Sequence, residues 1–300
     1  MNDHDELIIL CWNIERNGRS HRNSEDHRRL ARRITASYRP HIVFRQELAM
    51  AWENGKRDLY EEAQALGGLS AFMSAPKDGR SRKPVGVMFD PQLFEMESHT
   101  EHDLPWKQIC HVQVRLKGSA KPVQLASAHL CHFSPELRAV EAGRLTDLAD
   151  HGRTALIGMD ANSYPHRGTD EIMTEPIDWE KIEDPVHYQQ RTIERNGVRV
   201  PDTRPSEILT GGKGIYTDLA HHAGTVLNQP YALKPTASLR RTDQGPPQRI
   251  DILVATPDLV PALRSVEVVD TEEVRRVTDH GLVVARFSLP KLRRSLSPIL

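Results

Sequence analysis

TALIGMDANSYP, Thr154 to Pro165, is the stretch on which the reading of the fold turns. Ala155, Leu156 and Ile157 have the composition of a buried strand, Gly158 breaks the apolar run, and Asp160 and Asn162 follow with only Ala161 between them. In an extended chain, residues i and i+2 point to the same side. An acid and an amide would then project together from the end of a core strand. Buried without a partner, a polar group costs roughly 2–7 kcal/mol, so something polar has to face this pair.

Working outward, other apolar runs of strand length have similar polar ends. LIILCWNI (7–14) carries Asn13 and is followed by Glu15, and HIVFRQE (41–47) closes on Gln46 and Glu47. VQLASAHL (123–130) carries His129, RIDILVAT (249–256) carries Arg249 and Asp251, and GLVVARF (281–287) is preceded by Asp279 and His280. PVGVMF (84–89) and residues 108–116 also read as strands, rich in β-branched residues. Two helices stand out. Residues 24–38 repeat Leu30, Ile34 and Tyr38 behind a capping Ser24 and the acids Glu25 and Asp26. The segment after Ser134 and Pro135 places Leu137, Val140, Leu145 and Leu148 on one face and closes at Gly152. Between 163 and 239 the pattern weakens into Pro, Gly, Asp and Arg, predicting long loops with short helices. Strands and helices that alternate early, with strands returning at the end, predict an α/β sandwich of two sheets with helices outside.

Composition narrows the function. Lys+Arg 40 against Asp+Glu 41 gives a net charge of −1, so no global charge favours nucleic acid or an anionic membrane. Aromatic residues at 5% do not supply base-stacking platforms. Cys11, Cys110 and Cys131 form neither a disulfide framework nor a CxxC pair, which fits a reducing, cytoplasmic setting and argues against zinc. No window offers the roughly 18 apolar residues of a membrane span, so no membrane partner is expected.

If the polar strand ends converge, they form a cluster of carboxylates, amides and two histidines. Oxygen donors of this kind suit Mg²⁺ or Mn²⁺. Asp and Asn suit an attacking water and a developing oxyanion, and the histidines suit acid–base work or phosphate contact. This is equipment for metal-assisted hydrolysis of a phosphate ester.

The same residues in the same order resemble the endonuclease/exonuclease/phosphatase superfamily, over nearly the whole chain from CWNI to TDHG. WN, QE, HL, DxN, RID and DH are each weak signals, but six in order, each beside an apolar run, are a strong one. The resemblance implies a deoxyribonuclease-like four-layer sandwich: two mainly antiparallel or mixed sheets flanked by helices. It implies one catalytic domain over residues 1–290; residues 291–300 read by their own composition as a loose basic tail. It further implies that Asn13, Glu47 and Asp279 hold the metal and that His129 meets the scissile phosphate. Asp160 would orient or deprotonate the attacking water, Asn162 would hold a phosphate oxygen, and Asp251 would pair with His280. The implied activity is divalent-metal-dependent hydrolysis of a phosphodiester, foremost by a nuclease on DNA or RNA. A phosphatase or phosphodiesterase on a small phosphorylated metabolite is the alternative, and a non-catalytic scaffold a third reading.

Departures and plainer readings stand beside this. The family's GDFN becomes GMDAN here, with Met159 inserted after the glycine and Ala161 in place of the aromatic. The long 163–248 segment aligns to no one subfamily and is where substrate choice is expected, since loops carry specificity on a rigid scaffold. Arg28, Arg29, Arg32 and Arg33 read as a solvated helix face. Lys77, Arg80, Arg82 and Lys83 form a loop cluster able to meet phosphate. Arg138, just behind His129, is the candidate for substrate phosphate. His21, His27, His221 and His222 read as loop residues.

Overall fold

The computed structural model describes residues 5–19, 24–102, 104, 106–241 and 243–297. The cap expected of the Ser24 side chain and the loop position expected of His21 lie outside what it describes.

Alternation along the first strand sets the layers. In β1 (Glu6–Asn13), Leu7, Ile9 and Cys11 face one core, while Leu10 and Trp12 face another. The strand lies inside a six-stranded mixed sheet with β2 (Ile42–Gln46), β3 (Ser70–Met73), β4 (Gly86–Phe89), β13 (Leu263–Val269) and β14 (Leu282–Ser288), ordered β13-β14-β1-β2-β4-β3. The second sheet holds β5 (Phe94–His102), β6 (Ile109–Leu116), β7 (Pro122–His129), β8 (Thr154–Asp160), β11 (Thr217–Asp218) and β12 (Asp251–Ala255), ordered β11-β12-β8-β7-β6-β5. Each sheet has one parallel pair, β1 with β2 and β7 with β8, and is otherwise antiparallel.

The inner core joins the sheets through Ile9, Phe44, Val112, Leu125, Leu253 and Phe287, among others. On the outer face of the first sheet, Leu30 of α1 (Ser24–Ser37) and Leu59 of α2 (Glu53–Ala65) cover Trp12, Val43 and Val284. On the outer face of the second, Ala142 and Leu145 of α3 (Pro135–Thr146) cover Ala126, Ile157 and Val254. This is the expected four-layer sandwich.

Gly158 does not break its strand: β8 runs through it to Asp160. A Cβ at 158 would lie 2.5 Å from the Phe44 ring, so glycine there lets the two sheets close. The 163–239 segment holds α4 (Pro185–Arg191), α5 (Arg204–Thr210) and α6 (Leu219–Thr225), and also a hairpin, β9 (Thr192–Arg195) with β10 (Val198–Pro201), that the sequence reading did not anticipate. Buried Arg249 fastens this segment to the sheet by bonding Glu171 and Asp218. The basic tail is not loose where described. After α7 (Glu272–Val277) and β14, residues Leu289–Ser295 form α8, whose Leu292 packs into the inner core with Leu296 behind it, while Arg293 and Arg294 remain on its polar side.

Candidate active site

Register brings three expected residues into one row. His129 pairs with Asp160 across β7 and β8, and Asp251 pairs with Asp160 across β12 and β8. All three are therefore neighbours at one end of the second sheet. Asn13 ends β1 in the facing sheet and donates from Nδ2 to Asp160 Oδ2 at 2.8 Å. The 278–280 loop is tied beside it: Trp12 Nε1 donates to the His280 carbonyl, and Thr278 Oγ1 donates to the Asn13 carbonyl. Asn162 arrives by a turn rather than by strand alternation. Its φ is +49°, a left-handed conformation that asparagine tolerates, and its backbone N–H donates to Asp160 Oδ1 at 2.9 Å.

Asn13, His129, Asp160, Asn162 and His280 line a cavity of about 190 Å³ together with Glu15, Glu47, Ser81, Lys83, Lys107, His132, Arg191, Arg241 and Asp279, and Asp251 acts on it through His280. The carboxylate of Asp160 is fixed by Asn13 and the Asn162 N–H, and His129 Nε2 lies 3.2 Å from it. Burial pushes the His129 imidazole well below its ordinary range, helped by the Lys107 and Lys83 charges, so it is neutral. His280 behaves oppositely. Burial works against its charge, but Asp251, bonded to Nδ1 at 2.8 Å, outweighs it and raises the imidazole, so its Nε2–H stays a donor at neutral pH. Glu47 turns into the cavity through a φ of +58°. Burial would raise its carboxyl, but Lys83, at 2.8 Å, and Lys107 hold it low. Lys107, 4% exposed, is pushed down to about 8 by burial, against the pull of Glu47 and Asp160.

The donor set fits a hard divalent cation. Asn13 spends its amide N–H on Asp160 and leaves Oδ1 buried without a partner, in the same cavity as the Glu47 carboxylate. A buried orphan oxygen beside an ionised carboxylate is a place for a cation. Asp279 lines the cavity as well, with Arg241 3.6 Å away. Asp160, Asp251 and His280 also offer donor atoms within 4.8 Å of one another, but the His280–Asp251 hydrogen bond already uses one from each of that pair.

Arg138 is not at the cavity. It is fully buried, bonds Asp202 through Nε and Nη2, and caps the carbonyls of Cys131 and Gln190. Its position on the inner face of α3 decides this, because an arginine in a helix–insertion seam needs a buried carboxylate more than a ligand. Gln46 likewise serves the fold, bridging the sheets to Ser127 Oγ and the Gly158 carbonyl. Arg28 and Arg32 join α1 to Asp58 and Glu61 of α2 rather than facing solvent alone. His221 pairs with Asp170, away from the cavity.

Lys107, His132, Arg191 and Arg241 were missed. Lys107 left a trace in the sequence, a lysine two residues before the apolar strand of Ile109–Leu116. Nothing separates Arg191 from the other cationic residues until the fold seats it on Asn162.

No family model matches the sequence, and no match to it is found among curated proteins. Solved structures are. An endonuclease/exonuclease/phosphatase protein from Bacteroides vulgatus superposes with a TM-score of 0.64 at 14% identity, covering 95% of this chain and 99% of that one. The human Nocturnin catalytic domain with bound sulfate gives 0.64 at 14%, over 95% and 94%. An AP endonuclease from Archaeoglobus fulgidus gives 0.62 at 17%, over 94% and 99%. The chain has the endonuclease/exonuclease/phosphatase fold. At these identities the likeness concerns architecture, and the chemistry rests on the cavity.

Proposed function

We propose that this protein is a phosphoesterase that works with a divalent cation, Mg²⁺ or Mn²⁺. One observation carries the reading: Asp160 sits where Asn13, His129 and the Asn162 N–H converge, with the charged His280–Asp251 pair beside it and an orphan oxygen on Asn13. When bound, the cation would supply charge neutralisation for the phosphoryl oxygens, held by Asn13 and Glu47 with Asp279 near. The chain's residues do the rest. Asp160, fixed in orientation, aligns a water against phosphorus and accepts its proton at a carboxylate oxygen. His280 offers Nε2–H to a phosphoryl oxygen, and Asp251 holds the ring in the tautomer and angle for that. Asn162 gives one amide N–H to the Leu130 carbonyl and keeps the other for a phosphoryl oxygen.

For the substrate, the names of the fold neighbours support a phosphodiester of DNA or RNA, an AP endonuclease being among them. A phosphate monoester, including one on a small metabolite, is supported by the lysines and arginines that line the cavity itself, Lys107 among them buried. The test is hydrolysis of plasmid DNA, single-stranded DNA, RNA, bis-p-nitrophenyl phosphate and p-nitrophenyl phosphate in Mg²⁺, Mn²⁺ or EDTA. Turnover that EDTA abolishes and Asp160→Asn lowers by about 10²–10⁴ supports the reading; undiminished turnover in Asp160→Asn sinks it.

A further inference from the structure

Among the described residues, four cationic side chains other than histidine line the cavity, and they divide into two kinds. Lys83 is paired with Glu47 at 2.8 Å, and Arg241 lies 3.6 Å from Asp279. Among the described residues, Lys107 and Arg191 have no carboxylate within ion-pair distance of their charged groups, although Glu47 and Asp160 act on Lys107, and Asp160 on Arg191, from further off. Arg191 makes three hydrogen bonds, all to neutral oxygens: Nη2 to Asn162 Oδ1 at 2.8 Å, and Nη1 to the carbonyls of Asn162 at 2.9 Å and His132 at 3.3 Å. Those bonds fix the guanidinium plane without neutralising it. Lys107 is buried, and its backbone N–H, not its ammonium, contacts Glu141. Buried charges are normally paired, because an unpaired ion in a low-dielectric interior is costly. Lys107 is buried and Arg191 half-buried, and these two cations without a close ion-pair partner, one before β6 and one at the end of α4, mark a place in the cavity where a ligand supplies negative charge.

The geometry points to Lys107 and Arg191 as a two-cation receptor for a doubly charged terminal phosphate, making the substrate a phosphate monoester rather than an internal diester. This rests on the phosphoesterase reading above. A monoester carries two negative charges at neutral pH and a diester one, and the second charge is what two unpaired cations reward. Arg191 reads the phosphate as a planar donor fork, whereas Lys107 acts as a point charge. The cavity, at about 190 Å³, lies below the roughly 300–1,000 Å³ of a pocket for a whole drug-sized ligand. It seats the phosphate and its nearest atoms and leaves the remainder outside. The terminal phosphate can belong to a polynucleotide end or to a small metabolite, and both present the same group.

The experiment is calorimetric titration of the full chain with methyl phosphate and with dimethyl phosphate, in EDTA at pH 7.5, so that binding is read without turnover. Methyl phosphate is expected to bind at least tenfold more tightly, and Arg191→Gln and Lys107→Met should each reduce that preference several-fold. Equal affinities, no binding of methyl phosphate, or a preference unchanged in Arg191→Gln would overturn the proposal. If Lys107→Met does not fold, Arg191→Gln alone decides. A 5′-phosphorylated oligonucleotide and its 5′-hydroxyl twin separate the sources: a gain from the phosphate exceeding that of methyl phosphate assigns a polynucleotide end, and no excess assigns a small ester. Either supports the receptor. Metal-dependent turnover of diesters alone, with no preference in binding, would overturn the monoester assignment while leaving the phosphoesterase reading intact.

Discussion

The cavity has two walls of different origin. One is built on strand ends: Asn13, His129 and Asp160 line it, fixed by sheet register, and Asp251 of β12 holds against them His280 of the 278–280 loop. The other comes from loops and from the end of a short helix: Lys83, Lys107, Arg191 and Arg241. The strand wall is a hydrogen-bonded network in which Asp160 and His280 each have partners within the wall. The loop wall is positively charged and only half neutralised from within. Rigid elements position the groups that perform chemistry, and connecting segments position the groups that choose the ligand. Arg138 and Arg191 repeat the contrast within the 131–202 region. Arg138 binds the buried carboxylate of Asp202 and serves the fold, while Arg191 binds neutral oxygens and keeps its charge.

The largest effect should come from the strand wall. His280→Ala removes the imidazolium and leaves Asp251 buried alone, so turnover should fall by about 10²–10⁴, a larger loss than that of methyl phosphate affinity. Steady-state kinetics beside calorimetry checks this, and an equal loss in both would erase the division between the walls. Glu47→Gln keeps the side chain's shape but removes its charge. Mn²⁺ binding, followed by electron paramagnetic resonance in the absence of substrate, should weaken by about tenfold or more.

The two arginines give a smaller, sharper test. Arg138→Met strands Asp202 in the interior and should cost about 3–5 kcal/mol of stability, read from denaturant midpoints. Arg191→Gln breaks no ion pair and should stay within about 1 kcal/mol of wild type. Similar losses for both would mean that Arg191 is also structural. The smallest expected effect is pH-dependent. Lys107 titrates near 8 in the fold, facing Glu47, Asp160, Lys83 and Glu141, against an unfolded value of 10.5. Between these values the unfolded chain binds more protons, so this lysine adds stability as pH rises through 8 toward 10.5. Over the same rise it loses the charge that would hold phosphate. Methyl phosphate affinity should therefore decline above pH 8, and the decline should shrink in Lys107→Arg.

The sequence by itself determined the strand wall. Each of its residues lies beside an apolar run whose period is set by the strand, and apolar periodicity is what a linear reading detects. It also pointed to the layered architecture, because apolar runs near Cys11, Phe44, Ala126, Ile157, Leu253 and Val284 interleave with helices in the manner of a two-sheet sandwich, while the order of strands within each sheet came with the family resemblance. Tertiary structure alone decided three things. Gly158 looked like a break, but the Phe44 ring in the opposite sheet is the reason for glycine there. Arg138 looked like a phosphate ligand, but Asp202, 64 residues further on, had already claimed it. Arg191 looked like nothing in particular until the turn at Asn162 gave it a seat. The fate of a charged side chain depends on which opposite charge the fold brings within a few ångströms, and separation along the chain carries no record of that distance.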